Sequence, residues 1–192
     1  MYYLQRLFQI SIDQEFTTSS LYDSPRLQES FLIVSAYALF TSLDAFFSGY
    51  FQTETMSIGL VSFLVSALTT YLLWVFLAAI FHVAAEVLGG LGEFPHALGF
   101  VGLGCAPLVF TSFISCLLTL VSVLVFPDEP SRIAPNISLG LTLLGTAWGA
   151  PGVICYFGMK NAEKLHPLKA FAVTFVLYSS LALLLLYKSD II

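Results

Sequence analysis

From Ser57 to Ile80 the chain runs for 24 residues without a charged side chain. At a rise of about 1.5 Å per residue, a helix of that length covers about 36 Å, more than the ~30 Å of hydrocarbon in a bilayer. Four more stretches have the same character: Phe31–Phe51, interrupted by Asp44; Leu98–Phe126, uncharged but containing Pro107; Ile137–Gly158; and Ala170–Tyr187. A typical soluble domain is about a quarter charged. Here charged residues make up 10% and hydrophobic ones 58%, with a mean hydropathy of +0.89. A water-soluble fold could not hide so much apolar surface. A soluble enzyme, a disordered chain and a disulfide scaffold are therefore excluded. The expected fold is all-α: an integral membrane bundle of five transmembrane helices with a short interfacial N-terminal helix.

The runs also set an organisation. Residues 1–30 are expected to form a cytoplasmic, interfacial segment, because Leu4, Leu7, Phe8 and Ile12 fall near one helical face. Residues 31–192 then form the membrane domain, with spans at about 31–51, 57–80, 98–126, 137–158 and 170–187. No cleaved signal peptide is evident, and Ser24-Pro25 reads as the cap and first position of the first long helix. The third run would measure about 43 Å as one helix, too long for the hydrocarbon. A lead-in segment ending near Pro107, followed by the span proper, resolves the excess. Arg6, Arg26, Lys160, Lys164 and Lys169 fall on one side of such a bundle, and Arg132 and Lys188 on the other. That bias places the N-terminus in the cytoplasm and the C-terminus outside.

Little in the chain points to catalysis. The net charge of −5 comes from 12 acids and 7 bases, so no nucleic-acid partner is expected. Cys105, Cys116 and Cys155 lie inside apolar runs without a CxxC pair and read as buried thiols. His82 and Glu86 share a helix face at the inner end of the second span. HExxH is absent, so no metal is expected, and the two residues read as interfacial groups pairing with Lys160 or Lys164. Gly89-Gly90-Leu91-Gly92 lacks the GxxxxGK[ST] pattern of a phosphate cradle and reads as a turn that lets helices approach. Gly145 and Gly149 form a GxxxG in the fourth span, suited to packing within the bundle or to a homodimer seam. No cofactor is expected.

Asp44 is the exception within the membrane. A carboxylate there is costly and marks either a pathway or a hydrogen-bonded structural site. Counted from the outer ends of the spans, Ser62, Ser66, Thr119, Ser122, Thr142, Ser179 and Ser180 lie at similar depth and could hold it.

The stretch from His82 through Pro107 resembles the middle of the Yip (Ypt-interacting protein) domain. Gly89, Gly90, Phe94, Gly102 and Pro107 follow that family's order of a helix end, a Gly-Gly turn, a Phe, a Gly and a Pro. Leu103 stands where the family usually has Tyr. Trp148, Gly158 and Lys169-Ala170 resemble the fourth helix and the start of the fifth. The resemblance covers roughly residues 25–187 and implies five spans with a cytoplasmic N-terminus. Eukaryotic members act in vesicle traffic and contact Rab-type GTPases through a long N-terminal segment. This chain has about 30 residues there and lacks the Asp-Leu-Tyr-Gly-Pro element, so a Rab-type partner is not carried over. It is similar instead to the short prokaryotic members, which implies an inner-membrane location.

The leading expectation is a non-enzymatic scaffold or membrane-organising protein. Its partners would be the lipid bilayer and another membrane protein or a second copy. The alternative is a small transporter or channel using Asp44.

Overall fold

The structure, a computed structural model, describes residues 26–125 and 150–188. Those residues form six helices: α1 (Leu27–Thr53), α2 (Met56–Val87), α3 (Phe94–Gly104), α4 (Ala106–Val125), α5 (Ala150–Asn161) and α6 (Pro167–Lys188). The expected interfacial helix lies outside the described residues, as does the first part of the expected fourth span, with Gly145, Trp148 and Gly149.

Among the described residues, three stretches are long and apolar enough to cross a membrane: Leu27–Phe51, Met56–Val87 and Phe94–Ser122. The first two form a hairpin over Glu54 and Thr55. Glu54 takes a left-handed conformation, φ 53°, as the cap that ends α1. α2 has 32 residues, or about 48 Å, and continues past the expected end of its span to carry His82 and Glu86. Its outer face is almost wholly apolar and uncovered: Leu64 is 65% exposed and Leu68 62%. Patches of that size are foreign to soluble monomers and ordinary for a helix whose solvent is lipid.

The third stretch is broken. α3 stops at Gly104 and α4 starts at Ala106, with Cys105 between them. The proline expected to mark the break, Pro107, is the second residue of α4. Its ring crowds the carbonyl four residues back and its nitrogen cannot donate, so the disturbance falls upstream of the proline itself. Cys105 N–H bonds Gly102 O at 3.1 Å, a tightened last turn.

At 11 residues and about 16 Å, α3 is too short to span, yet it is the centre of the fold. Ala97 and every residue from Gly99 to Gly104 are buried, and α1, α2 and α5 all pack on it. Phe100 meets Phe81 of α2 edge to face at 5.7 Å. Ser30 donates to Gly99 O at 2.7 Å, and the Trp74 indole donates to Leu98 O at 3.0 Å, so α1 and α2 both bond the α3 backbone.

Glycine allows this approach. A methyl on Gly102 would stand 2.6 Å from Ser30 Cβ and 3.1 Å from Trp74 Nε1. A methyl on Gly158 of α5 would overlap the Phe100 ring. Gly102→Ala must push α1 off α3 and is expected to cost about 1–3 kcal/mol, as overpacking does. Gly152→Ala supplies the control, because its methyl would sit 3.8 Å from the Tyr178 ring, an ordinary contact. Thermal unfolding in detergent should show a clear loss for the first variant and a change within about 0.5 kcal/mol for the second.

Candidate functional site

The first polar cluster lies where α2 ends. Gly89, with φ +87°, adopts a conformation open to glycine and strained for other residues. Gly89 N–H bonds Glu86 O at 3.0 Å, and Gly90 N–H bonds Ala85 O at 2.8 Å. These paired bonds are the Schellman end of a helix. The next amide, of Leu91, donates to Glu163 O at 2.9 Å. Three successive N–H groups are thus committed inside the protein rather than turned towards a phosphate. The Glu93 N–H donates to His96 Nδ1 at 3.0 Å, which starts α3, with Pro95 in its first turn.

The linker between α5 and α6 closes over this turn. Lys169 Nζ donates to Leu88 O at 2.9 Å. Glu163 is fully buried, with its carboxylate against Gly92, where a Cβ would collide with it. Neither carboxylate oxygen reaches a donor with good hydrogen-bond geometry. His82 stands between two acids: Nε2 is 3.5 Å from Glu86 Oε1, and Nδ1 is 3.7 Å from Glu163 Oε1. The Phe94 ring lies 5.8 Å from the imidazole.

His82 therefore faces Glu163, where the sequence suggested lysines; the Lys160 amine sits over the Phe157 ring at 5.6 Å. Sequence reasoning missed Glu163. The available signal was an acid between Lys160 and Lys164, in a linker otherwise basic. Among the described residues, no three His, Cys, Asp or Glu side chains converge as a metal site.

The second cluster is within α1 and α4. Thr119 Oγ1 donates to Asp44 Oδ1 at 2.5 Å, and Ser115 Oγ donates to Oδ2 at 3.3 Å. Thr119 is among the hydroxyls reached by the depth count; Ser115, one turn away, is not. A cavity of about 220 Å³ adjoins the carboxylate, lined by Tyr37, Thr41, Asp44, Leu108, Thr111, Ser112 and Ser115. Cys105, Cys116 and Cys155 are free thiols, and Cys155 Sγ lies 3.4 Å from the Tyr178 hydroxyl.

Long apolar helices with lipid-like outer faces, packed around a short buried helix, define an integral membrane protein. The family model described as the Yip1 domain matches residues 12–188, nearly the whole chain, and the protein belongs to that family. No curated protein and no solved structure matches it. The residues behind the resemblance now have physical tasks. Gly89 and Gly90 end α2, and Phe94 opens α3 beside His82. Gly102 admits Ser30, Pro107 follows the break, and Lys169 ties α6 to the turn.

Burial pushes the Glu163 carboxyl above its ordinary value of 4.5, opposed by the nearby imidazoles of His82 and His96 and by the Gly92 amide. Its neutral form is the one the fold favours. The contribution is therefore complete below the ordinary carboxylate pKa and is lost as pH rises through the elevated one. Hydrogen exchange at the Leu91 amide, corrected for intrinsic base catalysis, is expected to lose protection across that window. Glu163→Gln, neutral at every pH, should flatten the profile. A wild-type profile already flat between pH 4 and 9 would contradict the coupling.

Proposed function

We propose that this protein is a non-enzymatic, multi-pass membrane protein of the Yip type that organises membrane or holds a partner membrane protein. In this reading it crosses the bilayer five times, with the N-terminus cytoplasmic and residues 1–30 interfacial. The observation that carries the reading is the division of labour between helices. α3, the glycine turn and the α5–α6 linker make a dense core. α2 instead gives most of its length to the surroundings, with Leu60, Val61, Leu64, Val65, Leu68 and Phe76 all exposed. Membership of the Yip1 domain family supports the same role.

The test is a photo-crosslinker placed at Leu68, with buried Ala97 as the control position, in native membranes. Leu68 should give one recurrent protein adduct, either a second copy or a defined membrane protein. Adducts to lipid alone would remove the scaffold role. Reporter fusions at Met1 and Ile192 should land on opposite sides of the membrane, and a shared side would overturn the five-span topology.

A second reading, a small transporter, draws support from the cavity beside Asp44, whose lining includes the hydroxyls of Thr41, Thr111, Ser112 and Ser115. On that reading Asp44→Asn keeps the fold and abolishes ion-coupled flux in liposomes. On the first reading the same substitution leaves the Leu68 adduct unchanged.

A further inference from the structure

Two hydrogen bonds tie the α5–α6 linker and the start of α6 to the turn after α2. The Leu91 amide donates to Glu163 O at 2.9 Å, and the exposed Lys169 Nζ donates to Leu88 O at 2.9 Å. Between these ties the Glu163 side chain is fully buried. Both of its carboxylate oxygens, and His82 Nδ1 facing them, are buried without a hydrogen-bond partner. The next residue, Lys164, is exposed and held at φ 53°, a left-handed conformation that is strained for a residue with a side chain. The bond from Leu165 N–H to Met159 O, at 3.2 Å, keeps the chain folded back there. His82 joins two acids of opposite exposure. Its Nδ1 is 3.7 Å from Glu163 Oε1, and its Nε2 is 3.5 Å from Glu86 Oε1, whose side chain is 62% exposed. The imidazole is thus the link between a buried carboxyl and the surroundings.

We propose that Glu163 and His82 form a proton-operated latch. While the pair holds a proton, the linker stays seated on the turn. When that proton leaves by way of His82 and Glu86, a bare carboxylate remains inside the protein, and the linker swings out with it. A buried carboxylate without a donor outweighs two hydrogen bonds, one of them made by an exposed amine. Release also frees Lys164 from its left-handed conformation. The elements packed around Glu163 carry His82 and Glu86 on α2, Glu93 and His96 at the start of α3, Lys160 and Lys164 on its own side, and His166 and Lys169 where α6 begins. Burial raises the carboxyl above its ordinary value of 4.5, and the imidazoles of His82 and His96 oppose the rise. Lys160 lies over the Phe157 ring, and Lys169 is engaged at Leu88 O. The latch is therefore closed at low pH and opens as pH rises through the elevated value. Its moving parts are the linker and the start of α6, and it stands independently of the scaffold and transporter readings.

The test is the distance between spin labels at Val87 and Leu168, read in the purified full chain in detergent from pH 5 to pH 9. These side chains are 79% and 72% exposed, so labels there leave the packing intact. Carrying the labels on unnatural amino acids leaves Cys105, Cys116 and Cys155 untouched. One narrow distance is expected at pH 5, and a second, longer one should gain population as pH rises. Glu163→Gln, neutral throughout, should keep the narrow distance at every pH. Should that variant fail to fold, His82→Gln supplies the second line. It keeps the carboxyl and removes an imidazole that opposes the rise, so opening should move to higher pH. A single unchanged distance from pH 5 to pH 9 in the wild type overturns the latch, as does a pH-dependent separation that persists in Glu163→Gln. An opening midpoint unmoved in His82→Gln overturns the pairing of the two residues.

Discussion

The fold depends on the burial of a helix too short to cross the membrane. α3 has 11 residues, and almost every one after its first turn is enclosed by α1, α2 and α5. Lipid exerts no hydrophobic pull between apolar helices, so their association rests on close van der Waals packing and on interhelical hydrogen bonds. Both are concentrated here. Gly102 lets Ser30 and Trp74 reach the α3 backbone, and those side chains bond the carbonyls of Gly99 and Leu98. Gly158 admits the Phe100 ring from the other side. Adding a methyl at these contacts would move helices rather than rotate a side chain.

The same burial explains the turn and the linker. α3 can begin inside the protein only if the chain leaves α2 sharply, and the Schellman end at Gly89–Gly90 does this within two residues. The connection must then have its polar groups satisfied from elsewhere. The Leu91 amide finds Glu163 O, and the Leu88 carbonyl finds Lys169. Both partners lie over 70 residues away in sequence, on the linker and the start of α6. The turn, the linker and the start of α6 are consequently one unit in space.

What the sequence reveals divides along physical lines. Helix type and length follow from local hydropathy, so the runs at 31–51 and 57–80 coincide with α1 and with most of α2. The break in the third run was also legible, because proline acts on its own neighbourhood; only its exact place, Cys105, needed the geometry of the preceding turn. Asp44 was legible as an anomaly, and helix depth gave Thr119 as a partner. Ser115 was not reachable by depth, because the approach of α4 to α1 decides which turn faces the carboxylate. Glu163 left only one local trace, an acid in a linker otherwise basic. It is fully buried by the turn after α2, and no local pattern around Asn161–Lys164 encodes that contact.

Asp44 and Glu163 belong to one electrostatic pattern. Each is an acid in an apolar chain, and the partners seen for each are hydroxyls or imidazoles, Thr119 and Ser115 for one and His82 for the other. An Arg or Lys salt bridge would fix the charge state of such a group and hold two elements in one register. Hydroxyls stabilise a carboxylate without neutralising it, and an imidazole can itself gain or lose a proton near neutrality. At Glu163 burial favours the neutral form, so a proton removes the charge there. The two sites lie on different elements, Glu163 beside the turn that opens α3 and Asp44 against the face of α4.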